Sequence, residues 1–91
     1  MTNAAPASFV RALEQLPLGT FNAHLGSRRY IASKTAFNSG RSIKLVAEAL
    51  GGGDYISLNL FHLTSGSRVY PCEMSRAKVI AFVENILPDQ S

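Results

Sequence analysis

Three short clusters, Asn38-Ser39-Gly40, Gly51-Gly52-Gly53 and Thr64-Ser65-Gly66, divide the middle of the chain into short segments in which apolar and polar residues alternate. Glycine reaches left-handed backbone conformations without steric cost, and Asn and Ser hydrogen-bond their own backbone, so such clusters reverse the chain. Turns of this kind, separated by residues of period two, specify an antiparallel β-meander. They constrain shape far more than chemistry.

Along the chain, residues 1–7 are small or polar and read as a flexible N-terminal tail. Ser8 is placed to cap a helix in which Phe9, Leu13 and Leu16 recur at helical spacing, before Pro17 and Gly19 stop it. Residues 20–25 and 29–37 follow as strands joined at Gly26-Ser27. Tyr30, Ala32, Lys34 and Ala36 share one face of the second strand, and Ile31, Ser33, Thr35 and Phe37 share the other. Residues 55–63 alternate most clearly, with Ile56, Leu58 and Leu60 on one side and Tyr55, Ser57, Asn59 and Phe61 on the other. A last strand runs through Arg68, Val69 and Tyr70 to Pro71. Ser75 then caps a helix whose apolar face is Val79, Phe82, Val83, Ile86 and Leu87. The expected fold is α+β: an antiparallel meander of four to five strands, with an N-terminal helix and a C-terminal helix packed on the sheet. A single domain spans 8–88, and 89–91 form a C-terminal tail.

Residues 42–50 admit two readings. Ile43, Val46, Ala47 and Leu50 fit a helical stripe that Gly51 would cap, but the segment is short and lies between two turns, which favours a strand. As a strand after a three-residue loop at Asn38-Ser39-Gly40, it sets Phe37 opposite Arg41, Thr35 opposite Ile43 and Ser33 opposite Leu45. On the other face Tyr30 meets Glu48, Ala32 meets Val46 and Lys34 meets Lys44. Like charges directly across a sheet are destabilising, and a bound anion would relieve this pair.

The formal charge of +3 permits an acidic partner without requiring one. The single cysteine, Cys72, rules out an intramolecular disulfide and a zinc site built on several cysteines, and favours a reducing, cytoplasmic setting. The longest unbroken apolar run is 79–83, too short for a membrane span. Gly51-Gly52-Gly53-Asp54 lacks the Gly-Lys-Ser/Thr ending of a phosphate loop, and Asp54 would repel phosphate; it reads as a flexible hairpin loop or a helix end. Cys72 precedes the last helix, whose positive end together with Arg76 and Lys78 could lower a thiol pKa, while Glu73 opposes them. It is the candidate for catalysis, against a structural thiol. His24 and His62 lie on distant strands, and with Cys72 show no metal-ligand spacing, so neither a metal nor a cofactor is expected.

Lys34, Lys44, Tyr30, Tyr55 and Phe61, extended by Arg28 and Arg29, combine aromatic rings with cations. That pairing lets open sheets hold single-stranded nucleic acid. The expected function is a non-enzymatic binding module whose basic and aromatic sheet face meets single-stranded nucleic acid or an acidic protein. The alternatives are a redox enzyme using Cys72, and a homodimeric interaction module formed through an exposed edge strand.

The stretch Gly40-Arg41-Ser42-Ile43-Lys44-Leu45, then Ala47-Glu48, Leu50-Gly51-Gly52, Asp54-Tyr55-Ile56-Ser57 and Pro71-Cys72-Glu73-Met74, resembles a family of small uncharacterised bacterial proteins, some of which carry a peptide methionine sulfoxide reductase label. The Gly-Cys-Phe-Trp motif of one reductase class and the four zinc cysteines common in the other are absent here, so the resemblance assigns no catalytic residue. In outline, a meander followed by a helix is also similar to the PC4-like single-stranded DNA-binding coactivators, an analogy of fold alone.

Overall fold

Alternation of period two runs through every long strand and sorts the sheet into two unequal faces. The computed structural model describes residues 4–89. In chain order it comprises α1 (Ala7–Gln15), β1 (Gly19–Leu25), β2 (Arg28–Phe37), β3 (Ser42–Ala49), β4 (Tyr55–Leu63), β5 (Gly66–Pro71), α2 (Arg76–Asn85) and the short β6 (Leu87–Pro88). All neighbours pair antiparallel in the order β5-β4-β3-β2-β1-β6. The fold is α+β with a meander from β1 to β5. The extra strand is β6, where residues after α2 return to β1 and set Ala23 against Pro88.

Both helices lie on one face. There Ala23, Tyr30, Ala32, Ile43, Leu45, Ala47, Ala49, Ile56, Leu58, Leu60 and Val69 are buried under Phe9, Leu13 and Leu16 from the α1 segment and Val79, Phe82, Val83 and Ile86 from the α2 segment. Tyr30 and Phe82 meet edge to face, with ring centroids 4.9 Å apart. Ser75 caps α2, its hydroxyl accepting the Lys78 N–H at 3.0 Å. Ser8 does not cap α1. The helix begins two residues earlier, at Ala7 after Pro6, and Ser8 lies inside it, donating its hydroxyl to Glu84 of α2 at 2.6 Å. Leu87 leaves the apolar face of α2, because the helix ends at Asn85 and Leu87 is exposed in β6.

Residues 42–50 hold a strand, β3, and its register differs from the three-residue-loop expectation. Four residues, Asn38 to Arg41, connect β2 to β3, so Phe37 faces Ser42, Thr35 faces Lys44 and Lys34 faces Leu45. The facing lysines do not occur. An odd loop would have placed Ile43, Leu45 and Ala47 across from Thr35, Ser33 and Ile31, away from the helices, since a shift of one residue flips a strand's faces. Burying those apolar residues outweighs the turn preference, and Asn38, Ser39 and Gly40 all adopt positive φ to make the loop. Gly51, Gly52 and Gly53 do so as well, at +86°, +82° and +99°, and the hairpin closes with the Ala49 N–H donating to the Asp54 carbonyl at 2.9 Å.

Both outer edges of the sheet are covered by the chain's own terminal segments. Ala4 bridges to Arg68, and the Ala5 N–H donates to the Ser67 carbonyl at 2.9 Å, so this part of the expected tail lies along β5. The Arg76 guanidinium also donates to the Ala4 carbonyl. At the opposite edge β6 covers β1, and Asp89 continues the pairing through its N–H to the Asn22 carbonyl at 2.8 Å.

Candidate binding surface on the open sheet face

The face opposite the helices carries the alternate residues of every strand. The register aligns them in rows that cross the sheet: Asn22, Ile31, Glu48 and Tyr55; then Thr20, Ser33, Val46, Ser57; then Thr35, Lys44, Asn59 and Tyr70; then Phe37, Ser42, Phe61 and Arg68. Ile31, Phe37, Val46, Tyr55 and Tyr70 are between 38% and 48% exposed. The second row is built from small side chains and the first from larger ones. Between them lies a shallow depression of about 450 Å³ whose walls include Ile31, Val46, Tyr55 and Glu48. Phe61 and Tyr70 pack edge to face at 5.6 Å toward the β5 side. The surface thus has an apolar centre, one acid on β3, and cations at Lys44 and Arg68.

Of the residues expected to bind an anion, Lys44, Tyr55, Phe61 and Arg29 stand on this face. Arg29 lies at its corner, 3.6 Å from the Asp89 carboxylate, which also accepts or shares a proton with His24 Nδ1 at 2.8 Å. Tyr30, Lys34 and Arg28 belong to the opposite side. Lys34 is 6% exposed, and its Nζ donates to the Leu13, Glu14 and Leu16 carbonyls at 2.8, 3.2 and 2.8 Å. It caps the C-terminal end of α1. Burial pulls its pKa below the ordinary lysine value, and the charge of Glu14 opposes that pull. Tyr30 is buried, with its hydroxyl donating to Asp54 at 2.8 Å; burial and then the Asp54 bond push the phenol up. Asp54 also accepts from Lys78 Nζ at 2.8 Å and lies 4.0 Å from Arg28. These bonds, Lys78 first and Tyr30 second, hold its carboxyl below the ordinary value. The cluster ties the glycine hairpin to α2.

Cys72 is half-buried and extends the row of small residues, its N–H donating to the Ser57 carbonyl at 2.9 Å. Its Sγ receives the Asn59 amide at 3.8 Å. His62 is turned to the other side of the sheet, where Nδ1 shares a 2.8 Å hydrogen bond with the Ser67 hydroxyl and Nε2 lies 3.5 Å from Glu14. His24 is engaged by Asp89. Neither supplies a base to the thiol in this arrangement. The Ser67–His62–Glu14 chain has the order of an acyl-transfer triad. None of its members lines the open-face depression, however, and Ser67 and His62 are simply opposite each other in the β4–β5 ladder. It is a tie between α1 and that hairpin.

Ile31, Phe37, Val46, Glu48, Tyr70 and Arg68 complete the surface without having been singled out in the sequence. Period-two parity from the secure strand β4, carried across the ladder, is the signal that would have found them. Among the described residues no group of three or more His, Cys, Asp or Glu side chains is arranged to hold a metal ion, and no helix is long and apolar enough to cross a membrane. Comparison with known proteins returned no matching family model, no matching curated protein and no matching solved structure.

Proposed function

We propose that the protein is a non-enzymatic interaction module that docks the open sheet face against an apolar surface of another protein chain. One observation carries the reading: both helices cover the same face, terminal segments lie along both edges, and Ile31, Val46 and Tyr55 are left exposed around the depression on the remaining face. Exposed apolar side chains grouped around a depression are a common mark of a protein-binding surface. An apolar centre with Ser, Thr and Asn around it and single charges to either side also matches the anatomy of a protein interface.

A photocrosslinking amino acid at Tyr55, with one at Glu84 on α2 as control, tests this in the native host. Discrete protein adducts from position 55 that disappear when Val46→Arg is added are expected. Equal labelling from both positions, or none from position 55, overturns the reading.

A second reading, contact with single-stranded nucleic acid, is favoured by Lys44 and Arg68 flanking the Phe61–Tyr70 pair. It ranks lower because Lys34 and Tyr30 are committed to the core and Glu48 stands beside the central depression. Amide chemical-shift titration with oligothymidylate distinguishes it: shifts at β3–β5 that fade as salt rises support it, and silence at low salt removes it.

A further inference from the structure

We infer that the occupant of the open face is a second copy of this chain, packed face to face about a two-fold axis over Val46. This rests on the interaction-module reading and names its partner. On β3, Lys44 and Glu48 both point to the open face, each two residues from Val46, and so each about 7 Å from it along the strand. An axis parallel to the sheet and perpendicular to β3 exchanges these two positions. Lys44 of each copy then stands over Glu48 of the other, and Val46 stands over its own image.

Shape agrees with charge. The depression lies on the Glu48 side of Val46, so the same operation brings Lys44 of the second copy over it. The lysine stem can lie against Ile31, Val46 and Tyr55 while its ammonium reaches Glu48. The Tyr55 ring adds a face that attracts the cation. Reciprocal contacts of this type are what an isologous dimer requires, and a central strand with one acid and one base placed symmetrically about Val46 satisfies it with no change in the chain.

Size agrees as well. Five strands at about 4.8 Å spacing, about eight residues long at 3.4 Å per residue, give a flat outline of roughly 600 Å². Side-chain relief raises the accessible area toward the roughly 800 Å² that each partner of a stable complex commits. Sheets packed this way hold their strands within about 30° of alignment, which keeps the β3 strands of both copies close enough for the exchange. Pairing through sheet edges is the competing route, and Ala4, Ala5 and β6 obstruct it.

The test is analytical ultracentrifugation of the purified full chain over a wide concentration range, on wild type, Lys44→Glu, Glu48→Lys and the double exchange K44E/E48K. Both side chains are exposed, so melting curves of dilute samples should be unchanged. Wild type should reach twice the chain mass. Each single exchange should weaken association at least tenfold, and the double exchange should restore it to within a few-fold of wild type. A wild type that stays monomeric, or a double exchange no better than the singles, overturns the inference. If it falls while position-55 adducts of another mass remain sensitive to Val46→Arg, the open-face reading stands with a different partner. If those adducts are missing too, both fall.

Discussion

The ammonium group of Lys34 has three N–H bonds, and the last turn of α1 offers it three carbonyl oxygens, those of Leu13, Glu14 and Leu16. A cation at a helix C-terminus also meets the negative end of the helix dipole. Replacing Lys34 with Met keeps the stem but takes the ammonium donor from the Glu14 and Leu16 carbonyls, while the Leu13 carbonyl retains the Leu16 N–H. The expected cost is about 3 kcal/mol, a fall in melting midpoint of roughly 15 °C for a domain of this size. An unchanged midpoint would show that water replaces the ammonium freely. Asp54 makes a second prediction, this time in pH. Its folded pKa is depressed by Lys78 and Tyr30, so the stability it contributes is fully present above the unfolded carboxyl value of about 3.9, and is lost as pH falls through the folded value. Asp54→Asn should therefore cost about 2 kcal/mol at neutral pH, and the difference should shrink as pH falls through the folded value. Urea unfolding across that range measures it, and a pH-independent difference would assign the effect to packing.

At the scale of elements, the edges of the sheet are held by very short segments. The Ala5 N–H helps to keep the first described residues on β5, and Ala5→Pro removes that bond while altering only a small, partly buried side chain at the margin of the core. A loss of about 1 kcal/mol is expected, with hydrogen exchange accelerated in β5 and unaltered in β3. Uniform acceleration would mean that β5 opens only with the whole sheet. The same elements show what the chain's letters disclose. Strand β4 is readable from Tyr55 to Leu63 because every second residue is apolar, and Ser75 announces α2 because its hydroxyl meets a free helix N–H. The β2–β3 register was not readable from the turn, because loop chemistry permits both odd and even lengths there. Only the demand that Leu45 and Ala47 lie under the helices with Ala32 decides it. That one step moved Lys34 and Tyr30 out of the candidate site and left Lys44, Tyr55 and Phe61 in it. β6 was hidden for another reason: Leu87 and Pro88 have no alternation to read, and β1 supplies the pairing from the far end of the chain.

For the whole molecule, the consequence of a sheet covered on one side is that adjacent residues on β3 differ sharply in what they support. Leu45 is fully buried under the helices, and Val46, its neighbour, faces outward. In dilute protein, Leu45→Ala should cost about 3 kcal/mol in urea unfolding, whereas Val46→Lys should stay within about 0.5 kcal/mol of wild type. Similar costs for both would mean that the second face is packed within the monomer. Concentration then separates folding from association. Any partner that binds only the folded chain raises its apparent stability by mass action, and a second copy does so with the logarithm of the protein's own concentration. The wild-type melting midpoint should therefore climb as the sample is concentrated, while that of Val46→Lys should remain fixed. Leu45→Ala should begin lower and still climb, because the mutation weakens the core and leaves the open face intact. A flat wild-type midpoint at every concentration would leave the exposed side chains of β2, β3 and β4 without a self-association role.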